Sequence, residues 1–219
     1  QDVIWLVDGV RISNRLYTTT TPLDTIPASM IEKIEVLKGG QSLFYGTSAT
    51  SGAINIVTKG FSKDTEGSLS VGAGTDEERH IDGYTSGSVG DHSFVVFASH
   101  DEAEGFQPFR DQDYQPSATD RNRGSDVTNF GAKYGYAFTP ETKLSANHQH
   151  TDATLDSANA NQTYSSDNDR DEDILSLKLD WGMGDKFDFF AKAYYLAWDT
   201  RFTEIRNTEP PSSALITIS

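Results

Sequence analysis

Three groups of side chains have the types and spacing to do chemistry. The run Asp167-Asn168-Asp169-Arg170-Asp171-Glu172-Asp173 concentrates oxygen ligands of the kind that hold Ca²⁺. It departs from the EF-hand loop, which needs Gly at the sixth position for a sharp turn and a bidentate Glu at the twelfth; here those positions are Glu172 and Lys178. The run 167–173 therefore reads as a solvated acidic loop, with calcium binding as the lesser reading. His148 and His150 stand two apart and share one face of a strand, but two imidazoles without a third ligand do not make a metal site. Glu32, Lys33, Glu35 and Lys38 alternate in sign, which taken alone is a charged face in water. Enzyme signatures fail on inspection. The segment 83–87 has glycines at both ends, yet Thr85 replaces the serine of a nucleophile elbow. Gly72-Ala73-Gly74 lacks the third glycine of a dinucleotide loop and opens no helix. The chain reads as a non-enzyme with no cofactor and no metal.

Composition narrows the classes further. Across 219 residues, 18 basic side chains face 33 acidic ones, a formal charge of −15. Such a surface repels phosphate backbones, which excludes nucleic-acid binding as the main activity. With no cysteine there is neither a disulfide framework nor a thiolate site. No apolar stretch approaches the roughly 18 residues a membrane-spanning helix needs. The sequence opens on Gln1-Asp2 and runs straight into a strand-like segment, so it is expected to be an internal piece of a longer chain.

The elements that must position these groups fall into two parts, divided near 61–66. Before that point the chain mixes short apolar runs, glycine turns and one expected helix, as an α/β unit does. Val3–Val7 reads as a strand closed by the turn Asp8-Gly9. A polar loop over 11–25, a helical turn or two opening at Pro27 and reaching Lys33, a strand over 34–37, the break Gly39-Gly40 and a strand over 53–58 follow. Ile34, Val36, Ile54 and Ile56 are expected to fill its small core.

After the divide, alternation of period two predicts seven strands, near 67–74, 80–89, 93–101, 127–138, 143–151, 174–182 and 187–201. Phe130, Ala132, Tyr134, Tyr136 and Phe138 share one face of the fourth, opposite Asn129, Gly131, Lys133 and Gly135. Leu175, Leu177, Leu179 and Trp181 share one face of the sixth, opposite Ser176, Lys178 and Asp180. Short connections (90–91, 139–141, 183–186) alternate with long polar ones (102–126, 152–173), the layout of an outer-membrane barrel. A strand of ~10 residues tilted ~45° rises ~23 Å, close to an apolar band of ~25 Å. A soluble antiparallel sandwich alternates in the same way, so periodicity alone leaves both open.

The run Ile26-Pro27, Ile31-Glu32-Lys33-Ile34-Glu35-Val36-Leu37-Lys38-Gly39-Gly40-Gln41-Ser42-Leu43-Phe44-Tyr45-Gly46 and Gly52-Ala53-Ile54-Asn55-Ile56-Val57-Thr58-Lys59 resembles the plug domain of TonB-dependent outer-membrane receptors. Val7-Asp8-Gly9-Val10-Arg11 is similar to that family's preceding strand and turn. Gly40, where many members carry Pro, and Ser51, where a second Gly is common, depart from the pattern. The resemblance implies a mostly β fold: an α/β plug over residues 1–62, then antiparallel transmembrane strands over 63–219, part of a twenty-two-stranded barrel too incomplete to close by itself. It implies that a coupling box precedes Gln1 and most of the barrel follows Ser219. It singles out Asp8, Gly9, Glu32, Glu35, Lys38, Gly39, Gly46, Gly52 and Asn55 as the plug motif, and it implies that the charge run Glu32, Lys33, Glu35 and Lys38 pairs with the barrel wall. Asn14, Arg15 and Tyr17, on a loop facing outward in such a plug, are the expected ligand contacts.

The implied activity is import of a scarce ligand (a ferric siderophore, cobalamin or another nutrient) across the outer membrane. Energy would come from a TonB-type transducing protein that moves the plug. The implied partners are that protein, a small-molecule ligand such as a metal chelate, and outer-membrane lipid. The competing class is a soluble or surface-exposed β-rich adhesin module without transport activity.

Overall fold

A computed structural model describes residues 3–12, 25–39, 52–114, 121–157, 166–183, 187–207 and 213–218. Apart from two short 3₁₀ turns, the described elements are strands, arranged as two separate sheets.

The small sheet has the order β2-β1-β4-β3. β1 (Val3–Val7) runs parallel to β4 (Gly52–Thr58) and antiparallel to β2 (Val10–Arg11), while β3 (Ile31–Lys38) pairs antiparallel with the other side of β4. Asp8 and Gly9 both adopt positive φ, 46° and 76°, the signature of a two-residue type I′ hairpin turn, which Asp-Gly favours. Gly52 has φ 155°, and a Cβ there would lie 2.5 Å from the Leu37 carbonyl oxygen, so glycine is required where β4 leaves Lys38.

Two expectations for this sheet are corrected. The helix from Pro27 to Lys33 is only a 3₁₀ turn, Ala28–Met30, because Ile31 already enters β3. The β-branched Ile31 and Ile34 suit a ladder with β4 better than a helix. The core also differs. Ile4, Leu6, Val7, Val10, Ile12, Ala53 and Ile56 are buried, whereas Ile34 and Val36 are 51% and 60% exposed. β3 is an edge strand, so alternation puts these two on one face that the described residues leave about half open.

The large sheet is an antiparallel meander of eight strands in sequence order. They are β5 (Glu66–Ala73), β6 (Arg79–Val89), β7 (His92–Phe106), β8 (Arg123–Thr139), β9 (Thr142–Ser157), β10 (Ser166–Met183), β11 (Phe187–Asn207) and β12 (Ser213–Ile218). β5 and β12 are its two edges, and among the described residues the sheet does not close. All seven expected strands are present, mostly longer than predicted, and β12 is an eighth. The extra length lies at the long-loop end. In particular 167–173, read as a solvated loop, is strand: Asp167 to Asp173 pair residue by residue with β9 and β11. Asp and Asn are poor strand formers, but pairing on both sides overrides that preference.

The two faces of the large sheet differ. On one, Phe130, Tyr134, Phe138, Leu175, Leu177, Leu179 and Trp181 are exposed. On the other, Val95, Phe97, Ser99, Asn129, Gln149, Thr151, Ile174 and Ser176 are buried, and the small sheet packs over this face at Ile174 and segment 25–30 at Val95, Phe97 and Asn129. Val7, Val10, Ile12 and Ile56 cluster with Ile174, and Leu196 and Trp198 pack alongside. Met30 clusters with Val95 and Phe97. Contacts from β7, β10 and β11 to one small unit mean that this face curves round it. Phe97 has room because its partner across the ladder is Gly131, where a Cβ would lie 2.3 Å from the ring.

Candidate functional site

The junction between small sheet and wall is built outward from the Asp8-Gly9 turn. The turn's positive φ swings the Asp8 carboxylate back over the end of β4. There Oδ1 accepts the Thr58 backbone N–H at 2.9 Å and Oδ2 accepts the Thr58 hydroxyl at 2.6 Å. Asp8 N–H in turn donates to the Ile56 carbonyl at 2.8 Å. From the wall, Lys133 on β8 brings its Nζ to 3.0 Å from Asp8 Oδ2 and donates to the Thr58 carbonyl at 3.3 Å. Lys192 on β11 donates its ammonium to the Asp8 backbone carbonyl. Both members of the Lys133–Asp8 pair are mostly buried, with side chains 12% and 17% exposed. A buried pair is strong only when its remaining hydrogen-bonding capacity is filled, and here Thr58 does so.

A polar relay runs from this node to the far edge of the small sheet. Gly9 N–H donates to Asn55 Oδ1 at 2.9 Å, and Asn55 Nδ2 donates to Glu35 Oε2 at 2.9 Å. Lys33 closes the line at 2.7 Å from Glu35. Hydrogen bonds from Lys33 first, then Asn55, hold the Glu35 carboxyl below its ordinary range, and Glu35 holds Lys33 above its own. Glu32 makes a separate contact, accepting the Gly60 N–H at 3.0 Å.

The second attachment is largely apolar. Met30 packs on Val95 and Phe97, with Phe61 and Tyr84 alongside. Beside it Asn129 is fully buried; its Nδ2 donates to the Thr25 carbonyl at 3.0 Å, and its Oδ1 accepts the Thr151 hydroxyl at 2.7 Å. The segment 25–30 is thus seated on β6, β7 and β8, with Lys59 over the Tyr84 ring and Lys143 over the Phe61 ring at the margin of the seat.

Of the motif residues singled out from sequence, the structure joins Asp8, Gly9, Glu35 and Asn55 in one network. Glu32 serves the exit from β4, and Gly39, at φ 91°, makes the turn after β3. Lys38 is exposed at the end of β3. Gly46, and the expected ligand contacts Asn14, Arg15 and Tyr17, lie outside the described residues. The expected pairing of Glu32, Lys33, Glu35 and Lys38 with the wall is not seen among the described residues, where Glu35 pairs with Lys33 within the same strand and the ion pair to the wall belongs to Asp8. Sequence reading missed Thr58, Lys133 and Lys192. The available signal was Lys133 itself, a lysine in mid-strand on the polar phase opposite Phe130 and Tyr134.

Comparison with known proteins agrees with this arrangement. Residues 1–53 match the TonB-dependent Receptor Plug Domain. The chain is 34% identical over 167 residues to the vitamin B12 transporter BtuB of Vibrio vulnificus strain CMCP6, a match that covers 74% of this chain and 26% of that protein. The ferric enterobactin receptor PfeA of Pseudomonas aeruginosa has the same fold, with a TM-score of 0.75 at 18% identity over 99% of this chain and 37% of the receptor. FpvA of P. aeruginosa, solved with bound pyoverdines, gives 0.75 at 12% identity over 98% of this chain and 30% of that one. This chain belongs to the TonB-dependent receptors, its small sheet corresponding to plug and its large sheet to barrel wall. It spans about a quarter of the length of the BtuB relative it matches.

Proposed function

We propose that residues 1–62 are plug and 63–219 the opening strands of a barrel that imports a scarce nutrient across the outer membrane. The single observation that best supports this reading is the mixed attachment of the small sheet. A buried Lys133–Asp8 pair and a largely apolar seat hold it firmly against the wall without a disulfide cross-link, and an ion pair supported by hydrogen bonds can break and re-form. That is what a stopper that must move requires. The exposed apolar phase of β8 and β10 would face lipid, with Leu177 and Leu179 in the hydrocarbon and Lys178 turned inward. Asn14, Arg15 and Tyr17, which follow β2 in the sequence, would meet the ligand: a guanidinium pairs with carboxylate or catecholate oxygens and a phenol stacks. The ligand class is a metal chelate or corrinoid, such as a ferric siderophore or cobalamin. A TonB-type protein would supply the force. No enzymatic step is part of this reading.

The test is uptake by cells expressing the full-length receptor as their sole outer-membrane route for each compound. Radiolabelled cobalamin and ferric siderophores are supplied with and without a protonophore. Energy-dependent accumulation of one of them, with surface binding surviving the protonophore, is the expected result. Recovery of the receptor in the soluble fraction, or accumulation indifferent to the protonophore, would sink the proposal.

A further inference from the structure

The outward face of the wall changes character along β9, β10 and β11. Towards the short turns it is Leu175, Leu177, Leu179 and Trp181. Further along, the same phase of the same strands carries His148, His150 and Asp152 on β9, Asp173 and Asp171 on β10, and Asp199 on β11. Register sets Asp152 directly opposite Asp171, and Asp171 directly opposite Asp199. Three carboxylates thus form a row across three neighbouring strands. Like charges directly opposite one another weaken a sheet. None of the three has a hydrogen bond or ion pair among the described residues, although Arg201 lines the same groove.

One imidazole belongs to this row. A ring nitrogen of His150 and carboxylate oxygens of Asp152 and Asp171 all lie within 4.8 Å of one another. Ligands ~2.1 Å from a tetrahedral ion are about 3.4 Å apart, so side-chain rotation alone would close the set. His150 is also oriented for the purpose. Its Nδ1 is 3.2 Å from Asp173 Oδ1, and an ionised carboxylate can only accept. Nδ1 therefore carries the hydrogen and Nε2 keeps its lone pair, the carboxylate–imidazole arrangement that supports metal-bound histidines. His148 Nε2 reaches the same Asp173 oxygen at 2.9 Å, and the Phe130 ring lies 5.0 Å from that of His150, so the imidazole is braced on both sides.

We propose that His150, Asp152 and Asp171, with Asp199 as a fourth oxygen donor, bind a divalent transition-metal ion of the Zn²⁺ class. The site lies on the outward face, just beyond the apolar phase. The ion neutralises the carboxylate row and ties β9, β10 and β11 together. The imidazole selects such an ion over Ca²⁺ or Mg²⁺, which prefer oxygen alone. The sequence offered His148 and His150 with no third ligand; the register supplies it from β10. This inference is independent of the transport reading, because the plug and its attachments occupy the opposite face.

The full-length receptor, purified in detergent and stripped with chelator, is titrated with zinc chloride by calorimetry. One site per chain is expected to weaken at least about tenfold in His150→Ala and in Asp171→Asn, while His92→Ala, on the same face near a short turn, leaves it unchanged. Heat-modifiable migration on a gel reports whether each variant barrel is folded. On the unmutated receptor, the electron paramagnetic resonance spectrum of added Cu²⁺ should carry nitrogen splitting from one imidazole, a readout that needs no variant. Zinc binding that survives both substitutions, an all-oxygen copper spectrum, or Ca²⁺ bound as tightly as Zn²⁺ would each overturn the proposal.

Discussion

The Asp8 seat and the Met30 seat attach the same small sheet to the same wall by opposite physics. At the first, a carboxylate meets an ammonium at 3.0 Å with a threonine filling the remaining lone pairs. At the second, a thioether, Val95 and three aromatic rings exclude water beside one buried amide. The strength of the apolar seat grows with the area it covers and falls away gradually as surfaces slide apart. The ionic seat depends on geometry, and removing one partner leaves the other buried and uncompensated. The first contact to fail under a directional pull is therefore expected at Asp8, while segment 25–30 stays attached.

Four changes test that contrast in full-length receptor, in descending order of expected effect. Phe97→Ala removes the buried ring under Met30 and should destabilise the apolar seat by about 4 kcal/mol, the usual cost of emptying a buried aromatic site. The readout is faster amide exchange over 25–31, with exchange at Ile4 and Leu6 little changed. Asp8→Asn keeps a side chain that tolerates positive φ but strands Lys133. A loss of about 3 kcal/mol is expected, seen as faster exchange across β1 and β4, with 25–30 still protected. If both segments loosen together in either variant, the two seats are one unit and the contrast fails. Asn129→Ala removes the hydrogen bonds to the Thr25 carbonyl and the Thr151 hydroxyl; about 1–2 kcal/mol should be lost, read from the denaturant midpoint for plug release.

The smallest effect concerns pH. Because the folded Glu35 carboxyl lies below its ordinary value of 4.5, its contribution is fully present above that value and is lost as pH falls through the depressed folded value. Acid should therefore loosen the β3 edge slightly, and Glu35→Gln should abolish that slope, its stability near neutrality lying lower by the same small amount that acid removes from the unmutated receptor.

Much of this architecture was legible in the residues, and the failures have local causes. Alternation located all seven expected strands of the wall and assigned Leu175 to Trp181 to one face, because side chains on a strand alternate whatever the strand touches. The same rule misled at Ile34 and Val36: it says which residues share a face, not whether that face is covered, and β3 is an edge. The acidic run 167–173 has the composition of a loop but is held extended by ladders on both flanks, which no local pattern announces. Asp8, Gly9, Glu35 and Asn55 were found through a family resemblance; their convergence on one network was not visible, since 46 residues separate Gly9 from Asn55.

Sequence alone determined the two-part division, the β period, the Asp-Gly turn and the excess of acidic charge, all of which depend on neighbours a few positions apart. Only the tertiary structure decided that Lys133 and Lys192 meet Asp8, the latter across a separation of 184 residues, and that His150 shares a row with Asp171. Those meetings follow from strand register and from the curvature of one sheet around another. Each is the sum of many backbone pairings, and no single residue encodes it.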